Sequence, residues 1–192
     1  MKRIKCEFHG ISPIILHSCK CVNPLHPISI KMKQLTKKKN KTEDDLVLLS
    51  DLEWEAGLYW DDVVGVYIPA ENIEATIRNA AKARKKGKDI IKGFNCEDLR
   101  VPLDYKENLT KEQLKSKIEY RDVRVMTVMK SRVLRTRPRF DTWSISFIAS
   151  YDENILDFND VADAIEYAGQ YVGLCDSRPK YGKFIARITE LD

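Results

Sequence analysis

A chain of 192 residues with 43% apolar side chains can enclose one core, and enough aromatic and β-branched residues accompany its 32% charged fraction to exclude global disorder. No run approaches the roughly 18 to 20 consecutive apolar residues of a membrane-spanning helix, and Met1-Lys2-Arg3-Ile4-Lys5-Cys6-Glu7 alternates at once instead of opening an apolar signal segment, so no membrane partner and a cytoplasmic location are expected. Net charge is only +4, and the five cysteines, Cys6, Cys19, Cys21, Cys96 and Cys175, are odd in number and irregular in spacing, which fits reduced thiols and not a disulfide framework.

Ile4, Cys6 and Phe8 alternate with Lys5, Glu7 and His9, which predicts a first strand within Arg3–Leu16, bent at Gly10 and Pro13. From His17 to about Glu55 periodicity is lost; residues 18–57 read as an insertion or long loop carrying a short helix at Leu46-Val47-Leu48-Leu49. Leu58-Tyr59-Trp60 and Val66-Tyr67-Ile68 flank a turn at Gly65, the pattern of a small hairpin. Pro69 opens a helix whose buried stripe is Ile73, Ile77, Ala80 and Ala81, with Gly87 able to close it. A short strand follows at Leu99–Leu103, then a polar linker or helix opening after Asn108 or Thr110.

Arg121–Met129 alternates as a strand with both faces partly apolar and leads into a basic hairpin arm at about residues 130–142. On extended backbone Arg135, Arg137 and Arg139 share one side, and Pro138 argues for an edge or a hairpin arm over a central strand. Trp143–Ala149 is a further strand. Asp157 or Asn159 caps a second helix with Val161, Ala164, Ile165, Ala168 and Val172 on its apolar face, and Gly182–Ile188 is the last strand. Strand, helix, strand, strand, helix, strand is the ferredoxin-like order, so the expected class is α+β: a single domain over residues 1–192 with an antiparallel sheet, two helices and inserted loops.

Charge is segregated along the chain. Lys31–Lys41 holds six Lys and no acid; Thr42–Asp62 eight acids and no base; Arg78–Lys92 seven bases against Asp89; Arg121–Arg139 seven bases against Asp122; Asp152–Glu166 six acids and no base. Each block alone also reads as an ordinary solvated face, but three basic blocks meeting on one face would make a track for a polyanionic backbone.

Two segments resemble a known family. Leu58-Tyr59 through Gly65-Val66-Tyr67-Ile68-Pro69-Ala70-Glu71-Asn72-Ile73-Glu74-Ala75-Thr76-Ile77-Arg78-Asn79-Ala80-Ala81 is similar to the Tyr-Ile-Pro-Gly-Ser-Ser element of the RAMP superfamily, the RNA-recognition-motif-like proteins that form the backbone of CRISPR effector complexes. Gly173-Leu174-Cys175-Asp176-Ser177-Arg178-Pro179-Lys180-Tyr181-Gly182-Lys183-Phe184 resembles their C-terminal glycine-rich loop before a final strand. Ala70, Glu71 and Asn72 stand where the family often has glycine and two serines, and Cys175 where a glycine is more typical. Taken with the chain's single-domain look, the resemblance suggests a stand-alone, phage- or prophage-encoded relative acting in the host cytoplasm.

The resemblance implies non-catalytic binding of single-stranded RNA or DNA, often as a head-to-tail homo-oligomer. The basic residues suited to it are Arg78, Lys82 and Lys85 of the first helix; Arg124, Lys130, Arg132, Arg135, Arg137 and Arg139 of the hairpin arm; and Arg178, Lys180 and Lys183 of the last loop, with Tyr181 beside them. Exposed backbone N–H groups in that loop would face a phosphate. Tyr181, Tyr171, Trp60 and Phe140 are aromatics beside basic residues that could stack on bases, core packing being the alternative for Tyr171, Tyr181 and Phe140. For the Arg132 to Arg139 series the alternative is an edge strand protected by charge.

His17, Cys19, Cys21 and His26 lie within ten residues, but the one-residue gap between the cysteines suits a tetrahedral metal site poorly, and no metal or other cofactor is expected. His17 is the candidate general base for a metal-independent endoribonuclease, the second functional reading; the loop after the first strand has no Asp before Asp44. A third reading makes the acidic block, with Glu43, Asp44 and Asp45, a nucleic-acid mimic that docks on a host or phage protein complex, blocking a host defence complex for example. Walker-type, Gly-x-Ser-x-Gly and His-Glu-x-x-His motifs are absent from the sequence.

Overall fold

The computed structural model describes residues 1–128 and 131–191. In chain order its elements are β1 (Lys2–Gly10), β2 (Ile14–Ile15), α1 (Pro27–Lys37), α2 (Glu43–Gly57), β3 (Trp60–Asp61), β4 (Gly65–Pro69), α3 (Ala70–Ala81) and α4 (Gly87–Gly93). There follow β5 (Phe94–Cys96), β6 (Arg100–Pro102), α5 (Lys111–Ser116), β7 (Arg121–Val128), β8 (Ser131–Phe140), β9 (Ser144–Tyr151), α6 (Phe158–Tyr167) and β10 (Phe184–Leu191). The chain is an α+β protein with antiparallel sheets and, among the described residues, six α-helices. None of the described helices is long and apolar enough to cross a membrane.

These elements gather into two compact units. The first comprises Met1–Ile14, Trp60–Asn108 and Asp141–Asp192, the second Ile15–Tyr59 and Leu109–Phe140. The second unit thus collects the expected insertion and the expected hairpin arm.

In the first unit the main sheet has the order β10-β1-β9-β5, each pair antiparallel. The alternation in β1 buries Ile4, Cys6 and Phe8, and Phe8 stacks on Phe184 of β10 (centroids 4.1 Å apart, planes 11° apart) and meets Phe147 of β9 edge-on at 5.1 Å. Helix α3 buries Ile73, Thr76, Ile77, Ala80 and Ala81, and α6, begun by an Asp157 and Asp160 capping box, buries Val161, Ala164 and Ile165. Each fully buried Ile or Phe contributes about 1.5 to 3 kcal/mol by leaving water. Burial also pushes the Cys6 thiol up to about 12, which keeps it protonated and inert. A smaller sheet, β3-β4-β6, turns at Gly65, whose φ of +80° is left-handed. Two elements here differ from expectation. Lys85, at φ 61°, ends the turn after α3, and Gly87 begins α4 instead of closing the first helix. Strand β5 pairs with β9 from a stretch of three residues too short to show a period.

In the second unit the expected loop over residues 18–57 is two helices. His26 caps α1, its Nδ1 accepting from the Ile28 N–H at 3.3 Å, and Pro27 is preorganised at the first helical position. Thr42 and Asp45 form a capping box at the head of α2, with Glu43, Asp44 and Asp45 at the positive end of its dipole. The acidic run that hid the helix from periodicity is what starts it. Trp54 of α2 is fully buried and donates its indole N–H to the Tyr120 carbonyl at 2.8 Å.

Strands β7 and β8 pair antiparallel from Arg121↔Pro138 to Val128↔Ser131, so the basic arm is a hairpin. Pro138 lies in that hairpin arm, as one of the two expectations had it, but not on an edge: β8 lies between β2 and β7. Its carbonyl accepts from the Leu16 N–H at 2.9 Å, which places its nitrogen on that same side, so the β7 ladder loses no donor. Phe140 is fully buried against Tyr120, ring centroids 5.4 Å apart, so it is core and offers no stacking face.

Candidate nucleic-acid interface

In the first unit the end of α3, the turn after α6 and the loop to β10 come together. Ala168–Val172 continues α6 as one π-helical turn, which swings Tyr171 outward until it is 60% exposed. It packs against Tyr167 with ring centroids 4.7 Å apart. Beside it lies an open cleft of about 610 Å³ lined by Asn79, Tyr171, Cys175, Asp176, Arg178 and Pro179 among others. Of these, Asn79 accepts from Lys82 Nζ at 2.9 Å.

Arg178 is exposed yet held. Its guanidinium donates to the Thr76 hydroxyl at 3.4 Å, and that hydroxyl, buried in α3, is 3.3 Å from the Gly173 carbonyl to which it donates. Asn72 donates to the Cys175 sulfur at 3.7 Å and ties the loop to α3 a second time. Burial raises the Cys175 thiol to about 12 despite the nearby Asn72 donor and Arg178 charge. Lys180 Nζ lies 5.6 Å from the Tyr181 ring centroid. Lys183 is half-buried, its N–H donating to Ser12 Oγ at 2.9 Å.

The loop's ends do not offer the expected backbone donors. The N–H groups of Gly173, Leu174 and Gly182 donate to the carbonyls of Ala168, Gly182 and Pro13, each at 2.8 Å. Gly182, at φ +72°, lies so close to Leu174 that a Cβ would meet its carbonyl oxygen at 2.0 Å. Arg78 is half-buried on α3, and Lys85 is exposed beyond its end.

The remaining expected residues lie in the second unit. Cross-strand register puts Arg124 opposite Arg135 and Asp122 opposite Arg137, so Arg124, Arg135, Arg137 and Arg139 share one face of the hairpin. Two acids work within that face. Arg124 donates to both oxygens of Asp122, whose side chain is only 7% exposed, and Arg139 Nη1 lies 3.9 Å from the same carboxylate. Arg135 pairs with Glu53 of α2. Arg132 points to the opposite face across from Thr127 and is exposed. Lys130 lies outside the described residues.

Between α1, α2 and β8 the second unit holds a cavity of about 430 Å³, lined by His17, Met32, Lys33, Thr36, Lys37, Glu53, Ala56, Arg135, Thr136 and Arg137. His17 is therefore set among cations. Its loop companions are not: His26 is used as the α1 cap, and Cys19 is exposed. No three His, Cys, Asp or Glu side chains among the described residues are grouped to hold a metal ion. Reading residues 31–41 as loop hid the cavity's first wall, although Met32 and Thr36, and Lys33 and Lys37, stand at the four-residue spacing that stacks side chains on a helix face.

The acidic block folds onto bases. Asp45 pairs with Lys38, Asp51 with Arg121, Glu53 with Arg135, Glu55 with Lys111, and Asp61 with Arg100. Five of its eight acids are thereby engaged within the chain.

No protein-family model matches the chain, and no curated protein matches its sequence.

Proposed function

We propose that the protein binds single-stranded nucleic acid without cleaving it, through the open cleft of the first unit. One observation carries the reading: Tyr171, exposed, and Arg178 line the same open cleft, whose Asn79 is hydrogen-bonded by the Lys82 ammonium. A base stacked on such a ring gains about 1 to 3 kcal/mol whatever its identity, while Arg178, Lys180 and Lys82 supply charge for the backbone. The sheet order β10-β1-β9-β5, with α3 and α6 after its first and third strands, supports a ferredoxin-like reading of this unit, the arrangement that the RAMP-like segments imply. Assembly of several copies along one strand is part of the proposal. Docking on a host complex through the acidic block is less favoured, because most of its carboxylates already have partners.

The test is fluorescence anisotropy with labelled single-stranded RNA, single-stranded DNA and duplex DNA at two salt concentrations. Single strands should bind and duplex should not; Tyr171→Ala should weaken binding by about 5- to 150-fold, the equivalent of one lost stack, and Arg178→Ala should flatten the salt dependence by about 0.7 in log–log slope. Absence of single-strand binding at low salt would overturn the reading. The alternative is cleavage, favoured by the position of His17 among Lys33, Lys37, Arg135 and Arg137. Cleavage of labelled RNA by the protein, abolished in His17→Ala, would establish it.

A further inference from the structure

The cavity of the second unit has a charge pattern that the single-strand reading does not use. Lys33 and Lys37 reach it from successive turns of α1, and among the described residues neither has a carboxylate partner. Arg135 and Arg137 reach it from β8, and Glu53 is the one acid on its wall. With Arg135 offset by Glu53, Lys33 and Lys37 add two positive charges to a half-open cavity. Its arrangement is fixed. The Glu53 side chain is 7% exposed, accepts the Thr136 N–H at 2.8 Å and pairs with Arg135, which sets that guanidinium on the wall.

We propose that this cavity binds a nucleotide through its terminal phosphate monoester. Such a group carries close to two negative charges and three acceptor oxygens, which suits the two lysines better than a single-charged diester does. A volume of about 430 Å³ lies in the range of small-molecule sites and leaves room for more than the phosphate. The rest of the wall suits a nucleoside: Met32 and Ala56 give an apolar surface for a base face, Thr36 a hydroxyl for the ribose. Glu53 spends two of about four acceptor positions on Thr136 and Arg135 and keeps the others for an exocyclic amine. This inference is independent of the single-strand reading, which rests on residues of the other unit, so either can fail alone.

The experiment is isothermal titration calorimetry of the full chain with AMP, adenosine and inorganic phosphate, on the wild type, Lys33→Ala/Lys37→Ala and a control, Lys31→Ala/Lys39→Ala. All four lysines are exposed, so the variants keep the fold, which circular dichroism checks. AMP should bind one site per chain, at least tenfold tighter than adenosine or phosphate, be recovered unchanged, lose at least tenfold in Lys33→Ala/Lys37→Ala and change less than twofold in the control. A 5′-phosphorylated RNA 10-mer and its 5′-hydroxyl twin separate the two sources of the group: a preference for the phosphorylated strand, lost with Lys33 and Lys37, assigns the site to a strand end, and no preference assigns it to a free nucleotide. Failure of AMP to bind, or equal weakening in both lysine pairs, overturns the proposal.

Discussion

Glu53→Ala tests the polar brace of the second unit. Glu53 is almost wholly buried and serves two donors: the N–H of Thr136, itself 3% exposed, at 2.8 Å, and the Arg135 guanidinium, about a third exposed. Removing the carboxylate leaves a buried backbone donor unmade, at about 1 to 3 kcal/mol, and a partly hydrated guanidinium without its acceptor, at about 1 kcal/mol after solvent screening. The expected loss is therefore about 2 to 4 kcal/mol, read as a lowered midpoint in urea denaturation. Arg135→Ala leaves the buried charge with one donor instead of two, so the double variant should fall short of the sum of the singles by about 1 to 2 kcal/mol. Amide exchange should localise the effect, with Thr136 losing protection in Glu53→Ala and keeping most of it in Arg135→Ala. A Glu53→Ala loss under about 0.5 kcal/mol, or strict additivity of the two substitutions, would refute the reasoning, because no buried donor in the structure would then depend on that carboxylate.

Two glycines at positive φ should respond differently to alanine. Gly65→Ala, at φ +80° with open space around it, should cost about 1 to 2 kcal/mol, whereas Gly182→Ala, at φ +72° with the Leu174 carbonyl in the way, should cost about 2 to 5 kcal/mol; thermal melts rank them, and equal losses would contradict the packing. Burial alone would push the Glu55 carboxyl up, but Lys111 and Lys115, at 2.6 and 3.4 Å, more than offset it and hold it below its ordinary value. A carboxyl depressed in the folded state adds stability above its unfolded value and loses it as pH falls. Melting temperature should thus drop as pH falls from about 5 to about 3, and Lys111→Ala/Lys115→Ala should remove part of that drop, less than about 1 kcal/mol in size.

The elements legible in the sequence are those whose period is set by one buried face. Strand β1 alternates because only one side of it meets the core, and α3 shows its stripe because its other side is wet. Helix α2 escaped for the opposite reason. Its first turns expose Leu46, Val47 and Leu48 while its last turns bury Leu52, Glu53, Trp54 and Ala56, so neither half carries the pattern of an amphipathic helix. The Thr42 and Asp45 cap was the available signal. Pro138 misled because the rule against proline in a central strand concerns ladder donors, and β2 is too short to need one there. At the candidate site, the common side of Arg135, Arg137 and Arg139 followed from extended geometry alone. The exposure of Tyr171 did not, since it depends on one extra residue in the turn after α6, and a π-helical turn leaves no mark in apolar spacing.

Segregated charge along the chain becomes paired charge in the fold, and this decides which cations can meet an outside anion. Basic segments supply the partners of the acidic block: Lys38 from the stretch before it, Arg121 and Arg135 from the hairpin, Lys111 from α5. Arg84 and Lys86 are taken in the same way by Asp163 and Asp160 of α6. A cation with an internal carboxylate must exchange it for a phosphate, so it adds little net affinity; one without a partner adds its full counterion-release effect. Among the described residues Lys33, Lys37, Arg178 and Lys180 have no carboxylate within ion-pair distance, and two of them line the cavity of the second unit while two lie in the last loop of the first. By this reasoning, the salt dependence of nucleic-acid binding should respond to Arg178 and Lys180 and be nearly indifferent to Arg84 and Lys86, although all four are cations of the first unit.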